Sequence, residues 1–243
     1  MTKDLTKIEK KFARKFDEED GIKHDPKHIN VKFIREIMQS TAYHEAGHFA
    51  ARAFTRLELH YISSISIIPN GRNMGIVRYY VAPTESNLRR TSLAVRRSKG
   101  YMLLLDQLAG YGAQMIHEKS EYEFLLDYIC DEPNSTWDDY SYCADYGDLS
   151  ENSDITRAQK IADLISNSHY SKDRILILAF KWTLEMLRIP SVWNLVETTA
   201  KVLLSKGEVT LSNREISKLI YDPNFTTIYD IPKWKKRIAV KKR

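Results

Sequence analysis

The 243-residue chain is poor in cysteine and has no long apolar run. It contains only two cysteines, Cys130 and Cys143, which excludes a fold stapled by several disulfides and favours a reducing compartment. The longest purely apolar run is Ile175 to Phe180, whereas a membrane-spanning helix needs about 20 predominantly apolar residues. The first residues, MTKDLTKIEKKFARKF, have no uninterrupted apolar stretch, so no signal peptide is expected. These absences predict a cytoplasmic protein without a membrane span.

Outside the C-terminal end, the sequence has no excess of positive charge. The formal net charge is +5, from 37 basic and 32 acidic residues. Residues 231–243 contain seven of the basic residues and no acid, so the rest of the chain has 30 basic residues against 32 acids. This distribution argues against a nucleic-acid-binding protein. The basic end could contact an anionic partner, or it could be a solvated chain end.

Apolar periodicity divides the chain into an accessory segment, a main domain and a tail. Residues 1–29 carry apolar residues at helical spacing within a charged sequence, which predicts an accessory amphipathic helix. Residues 30–222 are predicted to form the main domain, and residues 223–243 a basic C-terminal tail. Within the main domain, residues 118–149 are rich in acids and tyrosines and are predicted to form loops or short irregular elements.

The main domain is predicted to be mainly helical with a small β-hairpin. Apolar residues recur every three or four positions between about residues 31 and 54, which predicts a helix buried mostly on one side. The stretch YISSISIIPNGRNMGIVRYYV predicts two strands, near 61–68 and 74–81, around a Pro-Asn-Gly turn. The remaining predicted elements are helices at 85–117, from 154 onward, at 172–188, at 191–206 and at 213–220, and a short strand or turn at 208–211.

The sequence YHEAGH, from Tyr43 to His48, indicates a site with metal chemistry. Residues four apart share one face of a helix, so His44 and His48 can bind one ion. Glu45 is rotated by about 100° from His44 around the helix axis, which makes it a poor co-ligand. It can instead accept a proton from a water molecule that the metal polarises. This division of roles is typical of zinc-dependent hydrolases.

Two interpretations of YHEAGH stay open on these residues alone. One is a catalytic metal site, favoured by the long apolar helix and the adjacent hairpin. The other is a chance pattern whose histidines face solvent or are satisfied in the core. A catalytic zinc site takes three protein ligands, and the third is not evident nearby. Ala51 and Phe54 stand where one zincin pattern has Gly and His, and Glu58 is too close, so a carboxylate from a distant helix is left.

Five stretches follow one another in the order of a known family. They are HEAGH, ISSISIIPNGRNMGIVRYYVAP, YMLLLDQLAGYGAQMIHE, ENSDITRAQKIADLI and AFKWTLEMLRIPSVWNLVETTAKVLLSKGEVTLSNREISKLI. Together, over about residues 37–220, they resemble the peptidase domain of the FtsH-type ATP-dependent zinc proteases, the M41 peptidases. The resemblance implies a mainly α, zincin-like fold, with an HExxH helix, a small β-hairpin and a C-terminal helical bundle.

The resemblance also implies a site and an activity. The implied activity is that of a zinc metalloendopeptidase with one Zn²⁺ per chain. The implied ligands are His44, His48 and Asp154, and the implied catalytic base is Glu45. Asp148, Glu118 and Glu151 are the alternative third ligands, and Asp154 could instead cap its helix. A peptide substrate is expected to lie along the hairpin edge by strand addition.

The chain departs from the family in its longer segment between His48 and Asp154, where residues 118–149 are interpreted as an acidic insertion. It also lacks a G-x-x-x-x-G-K-[ST] phosphate-binding loop. We therefore expect it to act without ATP of its own, on flexible segments or on substrates that a partner delivers. The expected partners are a protein or peptide substrate, a separate ATPase or adaptor, and further copies of the chain in a homo-oligomer. The alternative function is a catalytically inactive binding or regulatory protein on the same fold.

Overall fold

The computed structural model is mainly helical and contains one small antiparallel sheet, which confirms the mainly α class. It describes residues 5–20, 30–56, 62–70, 74–79, 91–120, 153–167, 171–212, 214–215, 218 and 222–238. The elements are α1 (Lys7–Asp20), α2 (Val31–Thr55), β1 (Ile62–Ser66), β2 (Ile76–Tyr79), α3 (Leu93–Glu118), α4 (Asp154–Ile165), α5 (Lys172–Leu187), α6 (Pro190–Lys206), β3 (Glu208–Thr210) and α7 (Pro232–Ile238).

Helix α2, which carries YHEAGH, lies at the centre of the fold. It begins after Asn30, whose side-chain oxygen accepts hydrogen bonds from the N–H groups of Lys32 and Phe33. The predicted helix is confirmed, but the predicted one-sided burial is wrong. From Ser40 to Thr55 every residue is buried except His44, which is partly exposed. The reason is that α1, α3, α5, α6 and the sheet pack around it.

The three strands form an antiparallel sheet in the order β2-β1-β3. Strands β1 and β2 form the predicted hairpin, with Ile65 opposite Val77. Strand β3, predicted as a short strand or turn, pairs with the other side of β1, where Val209 lies opposite Ile65. Strand β2 is therefore an edge of the sheet within the residues that the structure describes.

Helix α3 crosses α2 at close range. A Cβ atom on Gly47 would lie 2.8 Å from the Cβ of Ala113 and 2.9 Å from the backbone carbon of Ala109, so the approach requires glycine at this position. The other side of α3 packs against α4 and α5 in a second apolar cluster. Helix α3 begins at Leu93, later than the predicted residue 85, because Ser92 before it is extended. Residues 81–90 lie outside the described residues.

Both ends of the described chain pack onto the core. Helix α1 buries Phe12 and Phe16, as expected of an amphipathic helix. Within the segment predicted as a basic tail from residue 223, Phe225, Ile228 and Trp234 are buried in the same core. The ring of Trp234 on α7 faces Phe54 and Trp182, while the lysines beside it in the sequence point away from the core and are exposed.

Several predictions fall mostly on residues outside the described ranges. These include the acidic insertion after residue 120, Cys130 and Cys143, and residues 239–243. The predicted helix at 213–220 is described only at three positions, which are helical, and Ser212 and Glu215 form a reciprocal capping pair at its start. None of the described helices has the length and apolar character needed to cross a bilayer.

Candidate metal centre

Three side chains from two helices converge on one point. His44 and His48 lie one turn apart on α2, and Asp154 is the first residue of α4. The Oδ2 atom of Asp154 lies 3.2 Å from Nε2 of His44 and 3.0 Å from Nε2 of His48. The two Nε2 atoms lie 3.2 Å apart. Within the described part of the chain, these three residues form a group that could hold a metal ion.

The placement of Asp154 follows from how α4 begins and packs. The Ser153 hydroxyl accepts a hydrogen bond from the N–H of Thr156, so Ser153 is the N-cap and the capping role considered for Asp154 belongs to its neighbour. Ile155 and Ala158 are buried in the cluster shared with α3. This packing holds the first turn of α4 beside the two histidines.

Of the three alternative third ligands, Glu118 lies within the described residues, and it is not grouped with the histidines there. Glu118 is exposed at the C-terminal end of α3, where it accepts a hydrogen bond from the Ser40 hydroxyl at 2.6 Å. Asp148 and Glu151 lie outside the described residues. Asp154 is thus the carboxylate that the structure places with His44 and His48.

The donor set fits a small divalent cation. Ligands of a tetrahedral zinc ion at about 2.0–2.1 Å lie roughly 3.3 Å from one another, and the three donor atoms here lie 3.0–3.2 Å apart. Helix α3 can approach the two histidine rings because the residue facing them is Gly110, which has no side chain. A Cβ atom there would lie 2.5 Å from Nε2 of His44 and 2.6 Å from Nε2 of His48.

The pKa shifts of the three residues indicate that the cluster favours a positive charge. Burial alone would lower the pKa of His48, but the Asp154 carboxylate outweighs burial and raises this pKa to about 10. The pKa of His44 is raised as well, since its hydrogen bond to Asp154 opposes the effect of burial. The two imidazoles in turn hold the pKa of Asp154 well below its usual range, although burial acts the other way. A bound cation would supply the positive charge that a proton otherwise supplies.

The second ring nitrogen of His48 has a fixed partner. Its Nδ1 lies 2.8 Å from the backbone carbonyl oxygen of Asp106 on α3. A carbonyl oxygen can only accept, so Nδ1 carries the proton and the lone pair of Nε2 can face a metal. The ring of His44 packs edge-on against Tyr111, with ring centroids 5.0 Å apart.

Glu45 lies between α2 and the hairpin. Its side chain is buried, and a Cβ atom on Gly75 would lie only 2.6 Å from its Oε1 atom. Gly75 immediately precedes β2, so the carboxylate is next to the start of the edge strand. Its negative charge contributes to the raised pKa values of His44 and His48. The arrangement can therefore combine a metal ion, a nearby carboxylate base and a strand edge.

The sequence analysis did not identify Asp106 and Arg52, which lie next to His48 on the side away from Asp154. Asp106 supplies the carbonyl for His48, and Arg52 forms a buried ion pair with the Asp106 side chain. The available signal was a charged residue inside each of two apolar runs, FAARAF and YMLLLDQLAGY. Such residues are seldom fully buried unless they are paired.

Comparison with known proteins adds no relative. No protein-family model matches the chain, and no curated protein matches it. The case for a function therefore rests on the chemistry and geometry of the cluster.

Proposed function

We propose that the chain is a zinc-dependent endopeptidase of the FtsH-peptidase type. Its metal ligands would be His44, His48 and Asp154, with Glu45 as the general base. The observation that carries the proposal is the convergence of Asp154 on two histidines more than a hundred positions earlier in the sequence, within 3.2 Å of both. A chance HExxH pattern on a helix gives no reason for a distant carboxylate to be placed there.

The choice of zinc follows from the donors and from the residue beside them. Two imidazoles and one carboxylate, with a fourth position open, form a known catalytic zinc set. The same donors can also hold iron. The neighbouring Glu45 supports the hydrolytic assignment, because a base next to a polarised water is what peptide hydrolysis needs and what a purely structural site does not.

Each residue then has a defined task. Zinc, when bound, supplies a Lewis acid that acidifies water and polarises the scissile carbonyl. His44, His48 and Asp154 would hold the ion through their three converging donor atoms. Glu45 accepts the proton of the attacking water and later donates it to the leaving amine. The burial of Glu45 between α2 and Gly75 keeps its carboxylate in one place during both transfers.

The edge strand β2 is the proposed binding site for the substrate backbone. One side of β2 pairs with β1, and an extended peptide could pair with its other side. Gly75 connects this edge directly to Glu45, so a peptide lying along β2 would pass the catalytic carboxylate. Pairing through the backbone suits an endopeptidase, because it recognises an internal extended segment rather than a chain end.

The proposed substrates are flexible segments. The sequence contains no phosphate-binding loop of the G-x-x-x-x-G-K-[ST] type, so a folded substrate would have to be unfolded by a separate ATPase or delivered by an adaptor. A protein that the wild-type chain degrades should therefore be cut at unstructured sites and without added ATP.

The test compares wild type with Glu45→Gln, using unfolded casein as the substrate and elemental analysis for the metal. We expect about one zinc per chain in both proteins, and casein cleavage that falls by on the order of 10²–10⁴-fold in the variant. The matched control is Glu36→Gln, an exposed glutamate on the same helix, which should change neither quantity.

Two outcomes would contradict the proposal. Wild type that binds zinc but leaves casein and a library of unstructured peptides intact would favour the inactive binding or regulatory protein on this fold. A well-folded wild type that takes up no zinc would mean that YHEAGH is a helical pattern without a metal.

A further inference from the structure

One buried ion pair connects the two helices directly behind the metal cluster. The guanidinium of Arg52 on α2 donates from Nη2 to Oδ2 of Asp106 on α3. Each side chain is only 1 % exposed. The same carboxylate oxygen also accepts from Nε2 of the Gln107 side chain at 2.9 Å. Asp106 is therefore anchored from both helices.

The ion pair and His48 contact the same residue. His48 and Arg52 are four positions apart on α2 and thus lie on one face. His48 donates from Nδ1 to the backbone carbonyl of Asp106, while Arg52 donates to its side chain. Two residues one turn apart on α2 therefore hydrogen-bond to Asp106 of α3. One of these hydrogen bonds comes from Nδ1 of His48, the ring nitrogen that does not face the proposed ion.

Holding the helices together does not require such a pair. The contact of Gly47 with Ala109 and Ala113 already sets the close approach of α2 and α3. Burying two charges costs solvation energy, and apolar residues of similar volume often stabilise a fold as well or better. Within the described residues, Oδ1 of Asp106 has no hydrogen-bond partner, which adds to the cost. An apolar pair would not form directional hydrogen bonds, so it would not fix the position of the Asp106 carbonyl oxygen.

We propose that Arg52 and Asp106 are positioning residues for the metal site, because their ion pair holds the Asp106 carbonyl at Nδ1 of His48. This contact fixes the tautomer and the orientation of the imidazole, so that Nε2 presents its lone pair to the ion. The inference rests on the metal-binding part of the proposed function and not on peptide cleavage.

The decisive variant replaces both charges with apolar side chains of similar size, Arg52→Met together with Asp106→Leu. Thermal unfolding measures whether the fold is kept. Titration with Co²⁺, followed by its visible absorption, and competition with Zn²⁺ measure metal affinity. We expect unfolding at or above the wild-type temperature, and metal affinity weaker by about 10–100-fold.

A second readout concerns the His48 ring itself. In the zinc-loaded wild type, the proton on Nδ1 should exchange slowly with solvent, as seen by nitrogen-15 NMR of the imidazole. In the double variant that exchange should accelerate, which a merely structural role of the ion pair would not cause. The control applies the same kind of replacement, Glu185→Leu with Arg237→Met, to an ion pair away from the metal, and should leave affinity and exchange unchanged.

The outcomes separate this inference from the proposed function. Wild-type affinity in a folded double variant would overturn the positioning role and leave the peptidase proposal standing. Absence of metal binding in wild type would overturn both. Should the double variant fail to fold, Asp106→Asn keeps the shape of the side chain and removes its charge. Because Arg52 then lacks its buried partner, that variant should unfold at a lower temperature. Weakened Co²⁺ affinity of the folded protein, measured well below that temperature, supports the inference, and unchanged affinity overturns it.

Discussion

The cluster of His44, His48 and Asp154 and the C-terminal helix α7 both place charged groups beside apolar residues, but only α7 pairs its charge with a permanently cationic side chain, that of Arg237. The guanidinium carbon of Arg237 lies 4.8 Å from the ring centroids of both Trp182 and Trp234, and its Nη1 donates to Glu185 at 2.9 Å. Lys233 of the same helix pairs with Glu185 as well.

At the cluster of His44, His48 and Asp154, pairing of charge depends on a proton, because the carboxylate has a positive partner only while an imidazole is protonated. Two imidazoles and a carboxylate direct their donor atoms to one point, and a positive charge appears there only if a proton is taken up. The pair of Glu185 and Arg237 joins α5 to α7, whereas the convergent donor atoms of His44, His48 and Asp154 indicate a ligand. The two regions should therefore respond to different perturbations.

Trp234→Ala should have the largest effect on stability. Removing a fully buried indole that contacts Phe54 and Trp182 should lower the free energy of unfolding by about 3–5 kcal/mol. Urea denaturation measures this loss, with the exposed Tyr229→Ala as control. Zinc affinity of the folded variant should stay at the wild-type value. A loss of affinity in parallel with stability would show that the two regions are not independent.

Gly110→Ala should weaken metal affinity and leave the helical fold in place, the reverse of the effects expected for Trp234→Ala. The added Cβ would lie 2.5–2.6 Å from both Nε2 atoms, so the histidines must move away from the ion. We expect metal affinity to fall by more than the roughly 10–100-fold that loss of an outer-shell partner costs. Alanine is the better helix former, so α3 itself should persist.

Gly112→Ala on the same helix is the matched control for that substitution. Its Cβ would meet the side-chain tips of Leu187 and Thr183 at 2.9 and 3.3 Å, which are away from the metal ligands. The control should therefore retain full metal affinity. Equal affinity in Gly110→Ala and Gly112→Ala would contradict the assigned position of the ion.

Zinc itself should stabilise the fold. An ion that binds the folded state at 100 times its dissociation constant adds about 2.7 kcal/mol to the free energy of unfolding. Calorimetry of wild type with and without zinc should show this as a raised unfolding temperature. The increase should be largely lost in His48→Ala and kept in Glu185→Gln. An equal increase in His48→Ala would place the binding elsewhere.

Glu185→Gln should have the smallest effect. The hydrogen bond from Arg237, with a further one from Lys233, lowers the pKa of Glu185 below its ordinary value of 4.5. The stabilisation is therefore present above that pH and disappears as the pH falls below it. Because the groups are partly exposed, we expect less than about 1 kcal/mol at pH 7 and no difference from wild type near pH 2. Denaturation at both pH values, with metal affinity unchanged, checks this.

Local features of the fold and site could be predicted from the sequence. The face shared by His44 and His48 follows from helical periodicity, and the hairpin follows from a Pro-Asn-Gly turn between β-branched runs. In both cases the residues that determine the structure are neighbours in the chain. The identity of Asp154 as a candidate ligand came from a resemblance to a family and not from its spacing.

Long-range pairings could not be predicted in the same way. Strand β3 pairs with β1 across more than a hundred residues, and Arg52 meets Asp106 only because α3 crosses α2 at Gly47. Charged residues in short windows are expected to face water, which is why KWKKR was predicted as a tail. Trp234 nevertheless packs this segment onto the core, because the lysines can stay exposed while the indole is buried.

The most direct test of the account is the zinc content of the purified wild type beside that of Asp154→Ala. We predict about one zinc per wild-type chain, and loss or marked weakening of binding in the folded variant, because two histidines alone leave the site one ligand short. A folded wild type that takes up no zinc when zinc is supplied, or an Asp154→Ala variant that binds zinc as tightly as wild type, would contradict it.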